Sequence, residues 1–245
     1  MSATKNKWLK YKLLRNYKPL ASHVPETKRM TRDALWRLVR KYTHVIIKPV
    51  WGSRGRGVIQ ISSLGNNHYA VHYENVRTTI HGKEQTYRYI KGIIGSTSYM
   101  VQRRISRPTI GGRPFDLRVI IQRKRNSAAW VVTGKVAKVA GRGYIVSNNG
   151  RSKGTLLPVP TALHHSTIRH HSAMNLLSKI HRVSIRSSKH LASYFPGHRI
   201  YGLDVGVDIN GKVWIIEANL YPSMSHFLKL KDRTMYRRIM SYKKS

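Results

Sequence analysis

Residues 202–219, GLDVGVDINGKVWIIEAN, dictate a β-hairpin. Asn210-Gly211 between two alternating apolar runs is the pairing that a two-residue type I′ turn demands, because both central residues of that turn need positive φ. Counting outward sets Ile209 opposite Lys212, Asp208 opposite Val213 and Asp204 opposite Glu217. Side chains alternate between faces along a strand, so Asn219 shares the face of Asp204 and Glu217. Leu203, Val205 and Val207 with Trp214, Ile216 and Ala218 form the buried face.

Directly opposed residues stand roughly 5 Å apart at Cβ, where like charges destabilise the ladder. A cation between Asp204 and Glu217 is therefore expected. Two carboxylates and an amide oxygen are hard donors that suit Mg²⁺ or Mn²⁺, with substrate phosphates completing the shell. Lysine or arginine neighbours acting as counterions are the alternative. Asp208, beside the turn, reads as a turn residue.

Such counterions are abundant: 46 Lys and Arg face only 9 Asp and Glu, a formal net charge of +37. That field favours polyanionic partners without sequence preference. No helix-turn-helix or aromatic RNA-binding signature accompanies it, so a sequence-specific nucleic-acid reader is disfavoured. The absence of cysteine excludes disulfides, zinc–thiolate sites and a cysteine nucleophile. The first residues lack an apolar signal-peptide core, and no apolar run approaches the roughly 20 residues that span a bilayer, which points to the cytoplasm.

The 245 residues, 40% apolar, suit one globular unit or two lobes sharing a cleft. Residues 1–44 read as a basic helical segment, with a helix from Thr31-Arg32-Asp33 to about Tyr42. Residues 45–105 read as a β-rich lobe with a hairpin at 45–50 and 58–62, a helix over 83–95 and a strand at 98–105. Residues 106–245 read as a second lobe, with a sheet, a helix over about 166–183 and a docked C-terminal helix. His164, His165, His170 and His171 do not share one helical face as i, i+4 metal ligands would.

KPVWGSRGRG (48–57) is a strand, a glycine-rich loop and a second strand. Glycines allow backbone N–H groups to approach phosphate oxygens, Lys48 supplies a point charge and Ser53 a hydroxyl. This is not a Walker A loop, since it lacks the terminal Gly-Lys-Ser/Thr and leads into a strand.

The lysine-preceded glycine hairpin and the Asp204…Glu217-x-Asn219 hairpin together resemble the ATP-grasp family. The YheC/YheD type, associated with the endospore coat, is most similar. HVPET (23–27), IIKPVWGSRGRG, YMVQRRI, GRPFDLRV (112–119), WVVTGKVAKVAGRGYIVSN (130–148) and GLDVGVDINGKVWIIEANLYP (202–222) carry the resemblance. It implies an α+β fold in which ATP lies between two lobes. Lys48 would bind the α- and β-phosphates, with Ser53, Arg54, Gly55 and Gly57 closing over them. Lys7 would be an early nucleotide-binding lysine, and Gln102 would sit at the adenine. Arg118, Lys138 and Asn148 would line the phosphoryl-transfer site, and Asp204, Glu217 and Asn219 would hold Mg²⁺ or Mn²⁺. Where relatives show paired glycines, this chain has NGRSKGT (149–155).

The activity implied is ATP-dependent ligation, in which a carboxylate donor becomes an acyl phosphate that an amine or thiol captures; the net positive charge, which concentrates acidic substrates, makes acidic peptides the candidate acceptors. A sporulation or spore-coat substrate follows from the same resemblance, as does deposition on the endospore coat. ATP-grasp enzymes usually carry a further N-terminal domain that helps form the acceptor site. It is expected to be absent here, leaving room for a partner chain to complete that site. The rival reading is a catalytically idle ATP-grasp fold kept as a basic, polyanion-binding spore protein.

Overall fold

The computed structural model describes residues 3–52, 55–145, 147 and 152–245, so the expected site residues Ser53, Arg54 and Asn148 lie outside the described residues. Two antiparallel sheets organise the chain. The first joins β1 (Thr27–Arg29), β2 (His44–Pro49), β3 (Ile59–Gly65), β4 (His68–Tyr73), β5 (Val76–His81) and β6 (Tyr99–Arg103) in the order β1-β6-β2-β3-β4-β5. Helices α3 (Arg32–Tyr42) and α4 (Lys83–Ile94) cover it. Leu35, Leu38, Val39, Ile90 and Ile94 pack on Ile47, Ile59, Ile61, Val71 and Val101. Thr27–Arg29, in the stretch expected to be helical, is instead an edge strand; its three residues carry no apolar alternation, and pairing to β6 supplies the structure.

The second sheet is ordered β10-β9-β8-β11-β12, from β8 (Arg113–Gln122), β9 (Val131–Val139), β10 (Thr155–Leu157), β11 (Ile200–Val207) and β12 (Val213–Asn219). The short β7 (Thr109–Ile110) pairs with β8. One face is covered by α1 (Lys7–Asn16), α2 (Lys18–Ala21), α5 (Val159–His164) and α6 (Ala173–Tyr194). On the other, α7 (Ser225–Leu228) and α8 (Thr234–Lys244) seal Ile120 and Val136 with Phe227 and Ile239. Among the described residues, no helix is long and apolar enough to cross a membrane.

The long helix starts later and ends later than its apolar pattern indicates. Ser172 Oγ accepts from Asn175 N and fixes the start. Beyond Val183 the buried face continues as Ser184, Ser187 and Ser188, fully buried but polar, so the apolar period fades while the helix persists.

The β11–β12 hairpin departs from expectation twice. Asp208 N donates to Lys212 O (2.9 Å) and Gly211 N to Asp208 O (3.0 Å), so the loop has three residues, Ile209–Gly211, with Gly211 at φ +71°. Asp208 Oδ1 also accepts from Asn210 N and Lys212 N, and Oδ2 from Trp214 Nε1, which makes the larger loop the better satisfied one. The resulting one-residue offset is undone by a bulge: Val205 pairs with Ile215 while Asp204 pairs with Glu217, and Ile216 is the extra residue. Asp204 thus faces Glu217 as expected. Between turn and bulge the faces exchange, so Val213 and Ile215 enter the core in place of Trp214 and Ile216.

Candidate active site

Strand register alone brings charged side chains together across the second sheet. Lys138 on β9 is opposite Asp116 on β8, and Arg118 on β8 is opposite Asp204 on β11, which is in turn opposite Glu217 on β12. Arg118 grips both Asp204 oxygens, Nε to Oδ1 and Nη2 to Oδ2, each at 3.1 Å. Lys138 Nζ bridges Asp204 (2.7 Å) and Asp116 (2.8 Å), and Arg107 holds the other Asp116 oxygen at 3.0 Å. Glu217 meets Lys7 at 3.3 Å.

The expected cation at the carboxylate pair is thus supplied in part by the protein's own side chains. Burial pushes the Asp204 carboxyl up, but Arg118 and Lys138 outweigh it and hold it well below the usual carboxylate range. The same partners reverse the effect of burial on Arg118 and Lys138, whose pKa values are raised. Gly202 makes room for this packing: a Cβ there would collide with Pro222 and crowd Arg118 Nη1.

The first sheet contributes Lys48, at the end of β2. Its Nζ donates to Gln102 Oε1 (2.9 Å) and Ile216 O (3.2 Å), and Gln102 Nε2 donates to Thr27 Oγ1 (2.8 Å). Gln102 therefore has its side-chain amide engaged at both ends and orients the lysine. Two of the three ammonium donors are used, which leaves one for a ligand. Burial, with Lys7 adding to it and Glu217 opposing, lowers the Lys48 pKa to about 8. Lys10 is lowered to about 8 for the same leading reason, and its Nζ donates to Thr4 O at 3.0 Å. Lys7 enters at the first turn of α1, where Asn6 caps the helix by accepting from Leu9 N.

These groups converge on one cleft of about 620 Å³ between the two sheets, lined by Lys7, Lys48, Gly55, Gln102, Arg118, Lys138, Asp204, Glu217 and Asn219. That volume suits a nucleotide-sized ligand. Gly57 is not part of that lining; its φ is +71°, and a Cβ there would collide with the Tyr99 hydroxyl.

Arg107 and His226 line the cleft although no motif contains them, while Arg104 and Asp116 stand in YMVQRRI and GRPFDLRV with no role assigned to them there. Asp116 was legible in principle, because period two puts it on the same face as Arg118. His226 carried no local signal. Burial, reinforced by Arg118 and Lys138, lowers its pKa to about 4, and its Nδ1 is buried without a hydrogen-bond partner among the described residues.

Asp204, Glu217 and Asn219 offer the hard oxygen set that suits Mg²⁺ in company with phosphates. Among the described residues no cluster of three or more His, Cys, Asp or Glu is placed to hold a metal.

Two antiparallel-sheet lobes closing on a cleft with basic and acidic walls define a protein of the ATP-grasp fold. N5-carboxyaminoimidazole synthase from Aspergillus clavatus, solved with ADP and 5-aminoimidazole ribonucleotide, superposes with a TM-score of 0.54 at 11% identity, covering 91% of this chain and 46% of that one. The chain belongs to the YheC/D-like ATP-grasp family, whose model matches residues 2–245. It is 25% identical over 233 residues to endospore coat-associated protein YheD of Bacillus subtilis (strain 168), covering 91% of this chain and 49% of YheD. To endospore coat-associated protein YheC of the same organism it is 20% identical over 229 residues, covering 92% of this chain and 62% of YheC. The chain thus spans about half to three-fifths of these relatives' length.

Proposed function

We propose that the cleft binds ATP with Mg²⁺ or Mn²⁺ and joins a carboxylate to an amine or thiol, with residues 45–105 as the small lobe, 106–245 as the large lobe and 1–44 as a basic segment feeding Lys7 into the site. The observation that carries this reading is the meeting, in one cleft, of buried cations from three directions with the Asp204/Glu217/Asn219 face. A polyanion-binding surface gains nothing from burying lysines and carboxylates together, whereas phosphoryl transfer needs fixed cations around oxygens that gain charge.

In this scheme the donor carboxylate attacks the γ-phosphorus, the bond to the β–γ bridging oxygen breaks, and ADP leaves. The acceptor then attacks the acyl carbon, expels phosphate and loses a proton. Lys48, oriented by Gln102, and Lys7 hold nucleotide phosphates; the glycine loop, with Ser53, Arg54, Gly55 and Gly57, covers them. Arg118 and Lys138, with Asn148, face the transferred phosphoryl group. Asp204, Glu217 and Asn219 would hold the metal, whose chemistry is to neutralise phosphate charge. Acidic peptides are the proposed substrates, since a cationic cleft concentrates them, and the family's association with the endospore coat makes a coat or sporulation component the natural candidate.

A second reading, a catalytically idle fold, draws on the completeness of the Asp204–Arg118–Lys138 cluster, which is satisfied with no ligand. ADP release in the presence of Mg²⁺ and mixtures of amino acids and acidic peptides tests the choice: substrate-dependent ADP supports ligation, and none supports the idle fold.

A further inference from the structure

Helix α6 presents Lys179, Arg182, Arg186 and Lys189 along one face, all exposed, while Leu176, Ile180, Val183 and Leu191 anchor the opposite face in the core. The intervals of three, four and three residues keep these cations in a straight row roughly 15 Å long. None of the four joins an ion pair among the described residues. The sequence supplies no counterion either, because residues 1–25 and 117–203 contain no Asp or Glu. The adjoining N-terminal segment continues the same sign: Tyr17 stacks on His190 with centroids 4.1 Å apart, which brings the exposed Lys18 beside the row's C-terminal end. Like charges at i, i+3 and i, i+4 destabilise a helix. A rigid, carboxylate-free row is therefore poised for an external polyanion.

We propose that this α6 face is a sequence-independent docking surface for the phosphate backbone of duplex DNA, separate from the cleft and independent of any ligase activity. Duplex DNA carries one charge per roughly 1.7 Å of axis and releases condensed counterions when a basic row meets it. The backbones of the helix and of the duplex are both formed beforehand, so little backbone entropy is lost. An acidic polypeptide has a lower charge density and must be ordered on binding. A membrane is disfavoured because the apolar side of α6 is consumed by the core and cannot insert. Contacts from Lys and Arg to phosphate oxygens position a protein on the duplex but carry no sequence information, so sequence preference is not expected of a backbone-docking row.

The test compares the parent with two double variants by fluorescence anisotropy on a random-sequence duplex, from low to high salt. Arg182→Gln with Arg186→Gln removes the centre of the row. Arg37→Gln with Arg40→Gln removes an equally exposed arginine pair on α3 of the other lobe. Thermal melting checks that both variants fold. Expected are a loss of tenfold or more for the α6 pair, with a log–log salt slope shallower by about 1.8 (~0.9 per lost phosphate contact), and less than threefold for the α3 pair. Equal losses in both variants, no duplex binding by the parent, or tighter binding of poly-glutamate than of duplex at matched salt would each overturn the proposal.

Discussion

Lys48 Nζ lies 3.2 Å from the main-chain carbonyl of Ile216, the residue that the β12 bulge leaves outside the cross-strand register. The bulge frees a carbonyl that a regular ladder would have occupied, and the first sheet's buried lysine takes it. The bulge therefore offsets the three-residue turn to restore the Asp204–Glu217 pairing, and it also ties the two walls of the cleft together.

Lys48→Ala should weaken ATP binding at least tenfold, about 1.4 kcal/mol, while Lys5→Ala, at an exposed position, should change it little. Isothermal titration measures both. Equal effects would mean that general charge, and not a site, holds the nucleotide.

The depressed Lys48 and Lys10 give a pH signature. Both have folded pKa values of about 8, below the unfolded value near 10.5, so the unfolded state binds more protons between those limits. Stability should rise as pH climbs from about 8 to 10.5, and that gain should be missing below 8. Lys10→Met removes a buried charge that forms no direct carboxylate pair among the described residues and should raise stability at pH 7 by about 1–3 kcal/mol. Urea denaturation across pH is the measurement; a flat profile would refute the buried-charge account.

Mg²⁺ alone should stabilise weakly, because Arg118 and Lys138 already satisfy Asp204. Mg²⁺ with ATP should raise the melting temperature more than the separate effects combined, since phosphates can draw those cations away and release carboxylate oxygens to the metal. Glu217→Gln should abolish the synergy. A variant stabilised by Mg²⁺–ATP as fully as the parent would remove Glu217 from the metal site.

Much of this was legible in the chain. Asp204 opposite Glu217, the α+β character and the family all follow from local motifs, yet the correct pairing emerged from two compensating departures. Asn210-Gly211 suits a two-residue turn, but Asp208 satisfies three N–H donors only in the longer loop. The Ile216 bulge has no local sequence signal; what marks it is a tertiary contact, the Lys48 ammonium on the Ile216 carbonyl. His226 and Arg107 were equally hidden, because proximity across strands and lobes, not spacing, brings them into the cleft.

Asp204→Asn should be the most damaging single change in the cleft. It leaves Arg118, whose side chain is only 11% exposed, without its bidentate partner, while Lys138 keeps Asp116. Breaking a buried pair by deleting one partner typically costs 3–5 kcal/mol, and the surviving Lys138–Asp116 contact places the expectation at about 3. The pH dependence has the opposite origin from that of the lysines. Asp204 is held below its ordinary pKa, so its contribution is complete above the unfolded value near 3.8 and is lost as pH falls through the folded one. The parent should therefore lose stability steeply below pH 4, and Asp204→Asn should flatten that acid limb while lowering stability at neutral pH. Adding Arg118→Met to Asp204→Asn should recover part of the loss, because the orphaned guanidinium goes with it. Denaturant titrations of the single and double variants at pH 3.5 and 7 would decide the matter: an additive double variant, or an unchanged acid limb in Asp204→Asn, would show that the Arg118–Asp204 pair is not what the cleft's stability depends on.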